Sequence, residues 1–546
     1  MVSPWPALAR VGVALAIVLS ALVAWRLDSR EWEAALRARL LVGVPWGTLL
    51  TVAGVLAVYL FAQGGFWHWN GPLALPFRAW SYLYPLGIVL SSFAHVGPGH
   101  LVGNLVGTVA LAPLAEYAWG HYPSERDSPL LGTPLARVLA VPAAAFLVGL
   151  FIALFAIGPV IGFSGVLFAF AGVALVHYPL ATVVALSASG AVRQVYAAVR
   201  NPVVQASAEP SFGTPWWAGI AIQAHAIGLL VGVLVGVVLV RRRGRGPSAG
   251  RLWVGTVLFA ISQSLWAVYW FRGNGRFVLY RALGVVLVFG LALVVTASVT
   301  APDRFPSTRP FVGGSERRAG AAVVVLLALA ALAAPAIPVN LATVDSSTAR
   351  AAATPETTTP APITVGDYTV RYAENVTNRQ VSVVDVSAFG ESTTVNASGV
   401  IVASERRHLW TTAVRASRLA FTGQASVRLG GLSWEERIGV SRTGWRTGGE
   451  RAYKVRFNWD NRSRLAYRSE RATADATVRG KNVSLVPRQR GFGLVVSRGN
   501  ETLGRAPLPG NGTTRAANLT FSREGRKLFA AVGGTRVPIA KRERYR

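Results

Sequence analysis

Apolar runs long enough to cross a bilayer crowd the first 340 residues of this 546-residue chain and then stop. A hydrocarbon core of ~30 Å takes roughly 20 apolar residues of helix, within about 17–25. The runs that reach or approach that length are Val11–Ala24, Leu41–Phe61, Gly99–Ala115, Val138–Ile157, Ser164–Pro179, Leu180–Val199, Trp217–Val240, Leu252–Trp270, Phe277–Thr300 and Gly320–Val339. They predict about ten spans. The fifth and sixth part at Val176-His177-Tyr178-Pro179, where the proline separates two short helices. The first run is short enough for a signal peptide. Trp25 and Arg26 follow it without a small-x-small cleavage site, so it is expected to remain as a helix.

Charge then orients the bundle. The chain carries 55 Lys and Arg against 25 Asp and Glu, a net +30. The basic residues are scattered through loops and strands with no zinc-finger or RNP pattern, so no nucleic-acid partner is expected. In the apolar half they cluster at span ends: Arg26, Arg30, Arg37 and Arg39; Arg241, Arg242, Arg243 and Arg245; Arg304, Arg309, Arg317 and Arg318. Ten spans with an external N-terminus put all three clusters on the cytoplasmic side, as positive-inside placement requires. The C-terminal part then lies outside. Sequons point the same way, occurring at Asn375, Asn396, Asn461, Asn482, Asn500, Asn511 and Asn518 and nowhere before residue 340. They mark candidate glycosylation sites on an exported domain. The absence of cysteine excludes a disulfide framework, thiolate metal sites, iron–sulfur clusters and a Cys nucleophile. No cofactor or metal is expected.

A polar side chain inside a span is costly and is a functional hypothesis by default. Those that stand out are His95, His100, Asn104, Ser164 and His225, each among small and apolar residues. His100 and Asn104 are four apart, on one helix face, able to donate toward the same point. Pro98 and Gly99 mark that helix's start and leave His95 in the preceding loop. Ser164, in Gly162-Phe163-Ser164-Gly165, opens a helix whose N-terminal potential favours a developing oxyanion. Gly165, Ala169 and Gly172 continue as a small-residue stripe, and His225 heads a matching one at Gly228, Gly232 and Gly236. Such stripes let two membrane helices approach closely. Facing each other, they would bring Ser164 and His225 to one level, with Phe168 placed to stack on the imidazole.

These segments resemble the rhomboid family of intramembrane serine proteases. The match is carried by His95-x4-His100-x3-Asn104, Gly162-x-Ser164-Gly165 and Ala224-His225-x2-Gly228-x3-Gly232. Glu116, expected after the helix carrying Asn104, also sits where the family often has a glutamate. The resemblance implies a six-helix core, with Ser164 as nucleophile and His225 as general base in a dyad without an acidic third member. His100, Asn104 and the Ser164 backbone amide would form the oxyanion hole. His95 would support them structurally. Substrates would be other transmembrane proteins with Gly-, Ala- or Pro-weakened upper spans. The sequence departs from the family in its first external loop, where Arg78-Ala79-Trp80 lies further upstream than the usual Trp-Arg pair. Water is expected to reach Ser164 through a polar opening near Pro210–Trp217.

The expected architecture is therefore an all-α polytopic membrane bundle, a six-helix rhomboid-like core plus about four extra helices, with a C-terminal all-β extracellular domain. Residues 1–39 form an extra N-terminal span and a cytoplasmic loop, 40–240 the core, and 241–339 three further helices. Residues 340–363 form a Thr-, Ala- and Pro-rich linker. Residues 364–546 alternate in short runs, such as Tyr368–Tyr372 and Ala452–Phe457, and predict a β-sandwich-like domain. That domain carries 32 basic against 14 acidic residues, an excess that suits either an acidic cell-surface layer as a partner or simply a solvated surface. The bilayer and transmembrane substrates are the other expected partners. The competing expectation is a catalytically silent relative that binds membrane clients. A transporter would want intramembrane carboxylates or internal repeats.

Overall fold

The computed structural model describes residues 5–120, 133–200, 202, 212–243, 246–273, 275–300, 314–342, 360–382, 387–388, 391–392, 394–510 and 512–546. They divide into two compact units. One comprises 1–271 with 277–344, the other 345–546 with 272–276. The first unit is helical. Its helices are α1 (Trp5–Arg37), α2 (Trp46–Ala57, extended by one π-turn to Ala62), α3 (Pro85–Leu90), α4 (Pro98–Trp119), α5 (Pro134–Phe155) and α6 (Ser164–His177). Then follow α7 (Pro179–Arg200), α8 (Ile222–Arg243), α9 (Ala249–Ser262), α10 (Arg281–Thr300), α11 (Gly314–Ala333) and α12 (Ala336–Ala342). Among the described residues six helices are long and apolar enough to cross a membrane, and four shorter apolar ones accompany them. This is a multi-pass membrane protein.

Proline sets several helix starts. It stands first in α3, α4, α5 and α7, where its missing N–H would be unpaired anyway. The centre of the bundle is α6, with eleven of its fourteen residues buried. A helix apolar on every side has no face for an outer position, so it is surrounded. On one flank Gly107 of α4 receives the Leu167 side chain, and on the other α8 packs backbone to backbone.

Two arginines report which helix ends lie together. Arg10, near the start of α1, donates to the last carbonyls of α7, at Val199 (3.0 Å) and Arg200 (3.4 Å). Arg39 lies at the opposite end, donating to the Tyr178 hydroxyl (2.7 Å) between α6 and α7 and lying 4.5 Å from the Tyr117 ring centroid. The start of α1 is thus at the Ser164 end, and Arg39, just past its last residue, is at the other.

Two predicted spans are shorter than expected. The run Leu252–Trp270 ends as helix at Ser262; Ser264 follows with φ +60°, and Tyr269–Phe271 (β1) pairs antiparallel with Phe277–Leu279 (β2). Residues assigned to the ends of two spans therefore form a hairpin, and α10 begins only at Arg281. A run judged by apolarity alone cannot tell an apolar strand from a helix end. The arginines at 304 and 309, and most of the linker, lie outside the described residues.

The second unit is rich in antiparallel sheet. In its eight-stranded sheet Arg462–Arg468, Glu450–Trp459, Glu435–Thr447, Thr535–Arg542, Lys527–Val532, Leu519–Glu524 and Thr513–Ala516 lie side by side, and Gln424–Gly430 pairs along Glu435–Thr447. A four-stranded sheet of Ala472–Thr473, Asn482–Pro487, Phe492–Arg498 and Glu501–Pro507 shares one apolar core with it, through residues such as Trp445, Leu485, Leu494 and Phe521. A second four-stranded sheet holds Tyr368–Thr377 and Asn396–Ser404 at its centre.

Candidate active site

Ser164 is the first residue of α6, so the N–H groups of its own turn lack helical partners. The approach to it is tightly held. The Gly162 N–H donates to the Ser91 carbonyl (2.8 Å), and Ala79 N–H donates to the Val160 carbonyl (3.2 Å). Gly162 has φ +124°, and the space a Cβ would need there is occupied by the His100 imidazole. Both the backbone angle and the ring demand glycine.

His225 lies one turn into α8. Its Nε2 is 2.7 Å from the Ser164 hydroxyl oxygen. Its ring stacks on Phe168 with centroids 4.3 Å apart and planes 11° apart. What brings the two residues together is the pair of small-residue stripes. Gly228 backs onto the Gly165 carbonyl, Gly232 onto the Ala169 carbonyl, and Gly172 onto the backbone of Leu229 and Val233. Gly236 completes the seam against the Val176 side chain. His225 Nδ1 is buried without a hydrogen-bond partner among the described residues. A neutral ring whose Nε2 accepts a hydrogen bond from the serine hydroxyl carries its own hydrogen on Nδ1, and the Phe168 face lies against the ring plane.

His100 and Asn104 do not simply converge on one point. The Asn104 amide nitrogen lies 2.9 Å from His95 Nε2. An amide N–H₂ only donates, so His95 accepts there and one Asn104 hydrogen is left for another acceptor. His100 packs edge-on against His95, with centroids 4.9 Å apart. His95 is wholly buried in the loop before α4. A residue that sequence reasoning missed anchors it: Gln63 accepts the His95 N–H (2.7 Å) and donates to the carbonyls of His95 (2.7 Å) and Leu73 (2.9 Å). Its only signal was a lone amide at the end of the second apolar run.

Glu116 lies in the last turn of α4 rather than after it, about 18 Å along the axis from Asn104 at 1.5 Å per residue. Its carboxylate accepts from the N–H groups of Gly47 (3.0 Å) and Thr48 (2.8 Å) and from the Thr48 hydroxyl (2.8 Å). It caps α2 from a distance and is remote from the dyad. Arg78 lies over the Trp80 ring at 5.9 Å, and the Trp80 indole donates to the Leu75 carbonyl (2.6 Å). The departure in the external loop is thus folded into a local pair. Among the described residues no group of His, Asp and Glu is arranged to hold a metal.

A family model, the Rhomboid domain, matches residues 81–242. That stretch of the chain is similar to the rhomboid family. No curated protein and no solved structure matches the chain. The matched stretch of the rhomboid domain contains His95, His100, Asn104, Ser164 and His225. Gln63, α9–α12 and the sheet unit lie outside it. Of the sequon asparagines, Asn375, Asn396, Asn461, Asn500 and Asn518 are exposed and Asn482 is partly buried, while Asn511 lies outside the described residues. The segment around Pro210, with the water opening expected there, also lies outside them.

Proposed function

We propose that this protein is an intramembrane serine endopeptidase that cleaves other transmembrane proteins through Ser164 and His225. The observation that carries the reading is the 2.7 Å separation of the serine hydroxyl and the imidazole Nε2 at the head of a central buried helix. His225 takes the serine proton as Oγ attacks a peptide carbonyl and returns it to the leaving amine. Water then releases the acyl-enzyme by the same base. The oxyanion is met by the Ser164 N–H, with His100 and the second Asn104 hydrogen as side-chain donors. One such donor is worth ~2.7–4 kcal/mol in a comparable site.

A mostly apolar groove of about 490 Å³, lined by Leu105, Val106 and Val109 of α4 and Ala185, Ala188 and Val192 of α7, suits an approaching helical substrate. Exposed sequon asparagines in the sheet unit, together with the arginine placement, support an extracellular, glycosylated C-terminal domain. Its basic surface is the feature an acidic cell-surface layer would meet.

The test is reconstitution with a fluorogenic transmembrane substrate, comparing wild type with Ser164→Ala and His225→Ala. Cleavage by wild type alone is expected, with fluorophosphonate labelling lost in Ser164→Ala. Equal cleavage by all three would remove the dyad. A wild type inert toward both substrate panel and probe would make this a client-binding relative without catalysis.

A further inference from the structure

The segment that leads from α5 to Ser164 is held by two side-chain amides. Gln223, two residues before His225, donates from Nε2 to the Phe155 carbonyl (3.0 Å) and accepts the Ile157 N–H at Oε1 (2.8 Å). Asn340 of α12 donates to the Ala156 carbonyl (2.8 Å) and accepts the Gly158 N–H (3.2 Å). Four consecutive residues, 155–158, are thus gripped at alternate backbone groups by one amide from the His225 helix and one from α12. A further bond from Gln223 Nε2 to the Leu332 carbonyl (2.7 Å) of α11 joins the two grips. Asn340 is 7% exposed, in a short apolar helix that lies about 100 residues beyond the end of the matched rhomboid domain.

Helix C-termini leave carbonyls unpaired, and any polar group could satisfy them. Two features go beyond capping. The amides also accept the N–H groups of Ile157 and Gly158, which are past the helix end. And Gln223 stands two residues from His225 on the same helix, so the same side chain fixes the serine's approach segment relative to the base. We infer that Asn340 and Gln223 are positioning residues for the Ser164–His225 pair, and that α11–α12 are a required part of the active centre rather than an appendage. Neither side chain touches the reacting atoms. They act by fixing the 155–158 segment, from which the chain runs through Gly162 to the nucleophile.

The inference rests on the proteolytic reading, so the experiment separates the two. Full-length wild type, Asn340→Leu, Asn340→Asp and Gln223→Leu are reconstituted, and kcat, KM, the fluorophosphonate labelling rate of Ser164 and Tm are measured. Displacement of a reacting group by about 1 Å costs on the order of 100-fold, and partial loosening of the segment should cost between about 10- and 100-fold. The expected result is that fall in kcat and in labelling rate for both Leu variants, with KM within about twofold of wild type. Asn340→Asp keeps the acceptor for Gly158 but, when ionised, sets a second acceptor oxygen against the Ala156 carbonyl, so the ionised variant should fall short of the wild-type rate. If Asn340→Leu fails to fold, Gln223→Leu decides, with Asn340→Asp read across pH: a labelling rate equal to wild type in Gln223→Leu, or in the ionised Asp variant, overturns the inference. Leu variants with lowered Tm but unchanged kcat and labelling overturn it too, leaving a purely structural cap. An unreactive wild type would instead remove the proteolytic reading, and this inference with it.

Discussion

Replacing Gly228 with alanine adds one methyl group, and the structure places it against the α6 backbone beside the proposed dyad. A Cβ on Gly228 would overlap the carbonyl oxygen of Gly165, whereas ordinary contact begins at about 3.4 Å. The obstacle is backbone, so no side chain can swing aside, and α6 and α8 must part by about 1 Å because packed interiors have no slack to absorb it. His225 sits three residues away on the same helix and moves with it. The Ser164–His225 separation, now 2.7 Å, would open to roughly 3.7 Å, past the range of a hydrogen bond. That displacement should lower kcat on the order of 100-fold. Gly54 of α2 provides the control: a Cβ there meets nothing within 4 Å, and Gly→Ala in a helix should stabilise by about 0.5–1 kcal/mol. The assay is cleavage of a reconstituted transmembrane substrate alongside the Ser164 labelling rate. Gly228→Ala activity within twofold of wild type would refute the argument that backbone contact sets the dyad distance.

Three further outcomes follow from the same structure. Phe168→Ala removes the ring stacked on His225; losing about 0.5–1.5 kcal/mol of ring contact should lower kcat roughly 2- to 10-fold, with KM unchanged, and an unaltered kcat would sink the idea that Phe168 orients the imidazole. Glu116→Gln replaces an acceptor of three hydrogen bonds with a group half donor; it should cost about 1–3 kcal/mol, read as a lower Tm with unchanged activity per folded molecule. In the sheet unit burial alone would raise the Glu543 carboxyl, but its hydrogen bonds from Arg442 (3.0 and 2.7 Å) and Tyr545 (2.7 Å) hold it below the usual 4.5. The folded state then binds that proton less readily than the unfolded chain, so the contribution is full above about pH 4.5 and fades as pH falls through the lowered value. Thermal unfolding of the full protein should show this acid loss in wild type and a smaller pH slope in Glu543→Gln, whose Tm near pH 7 is already reduced by a broken buried pair.

The glycine stripes could be read from the chain because helical spacing is local: residues three or four apart share a face whatever surrounds them. The same reasoning placed His95 outside α4, where the structure has it, since Pro98 is favoured in the first turn of a helix. It could not foresee that Asn104 would serve His95, because the choice between two acceptors depends on where a loop fixed by Gln63 comes to rest. The hairpin of β1 and β2 escaped for a different reason. Tyr269–Phe271 and Phe277–Leu279 are as apolar as the helices beside them, and apolar content carries no period in runs of three. Asn340 fell one residue beyond the tenth run as drawn, and Gln223 was overshadowed by His225 two positions later. Each was a polar group in a membrane segment, the very signal that singled out the serine and histidines.

The order of the helices and the polar residue types that stand among them were therefore written in local pattern, which acts over a turn of helix. Tertiary structure alone decided which polar groups meet: Ser164 with His225, His95 with Gln63, Glu116 with the start of α2, and Asn340 with the segment before the nucleophile. Those pairings join residues tens to nearly two hundred positions apart. Hydrogen-bond distance is a property of packing between helices, and no spacing along the chain encodes it.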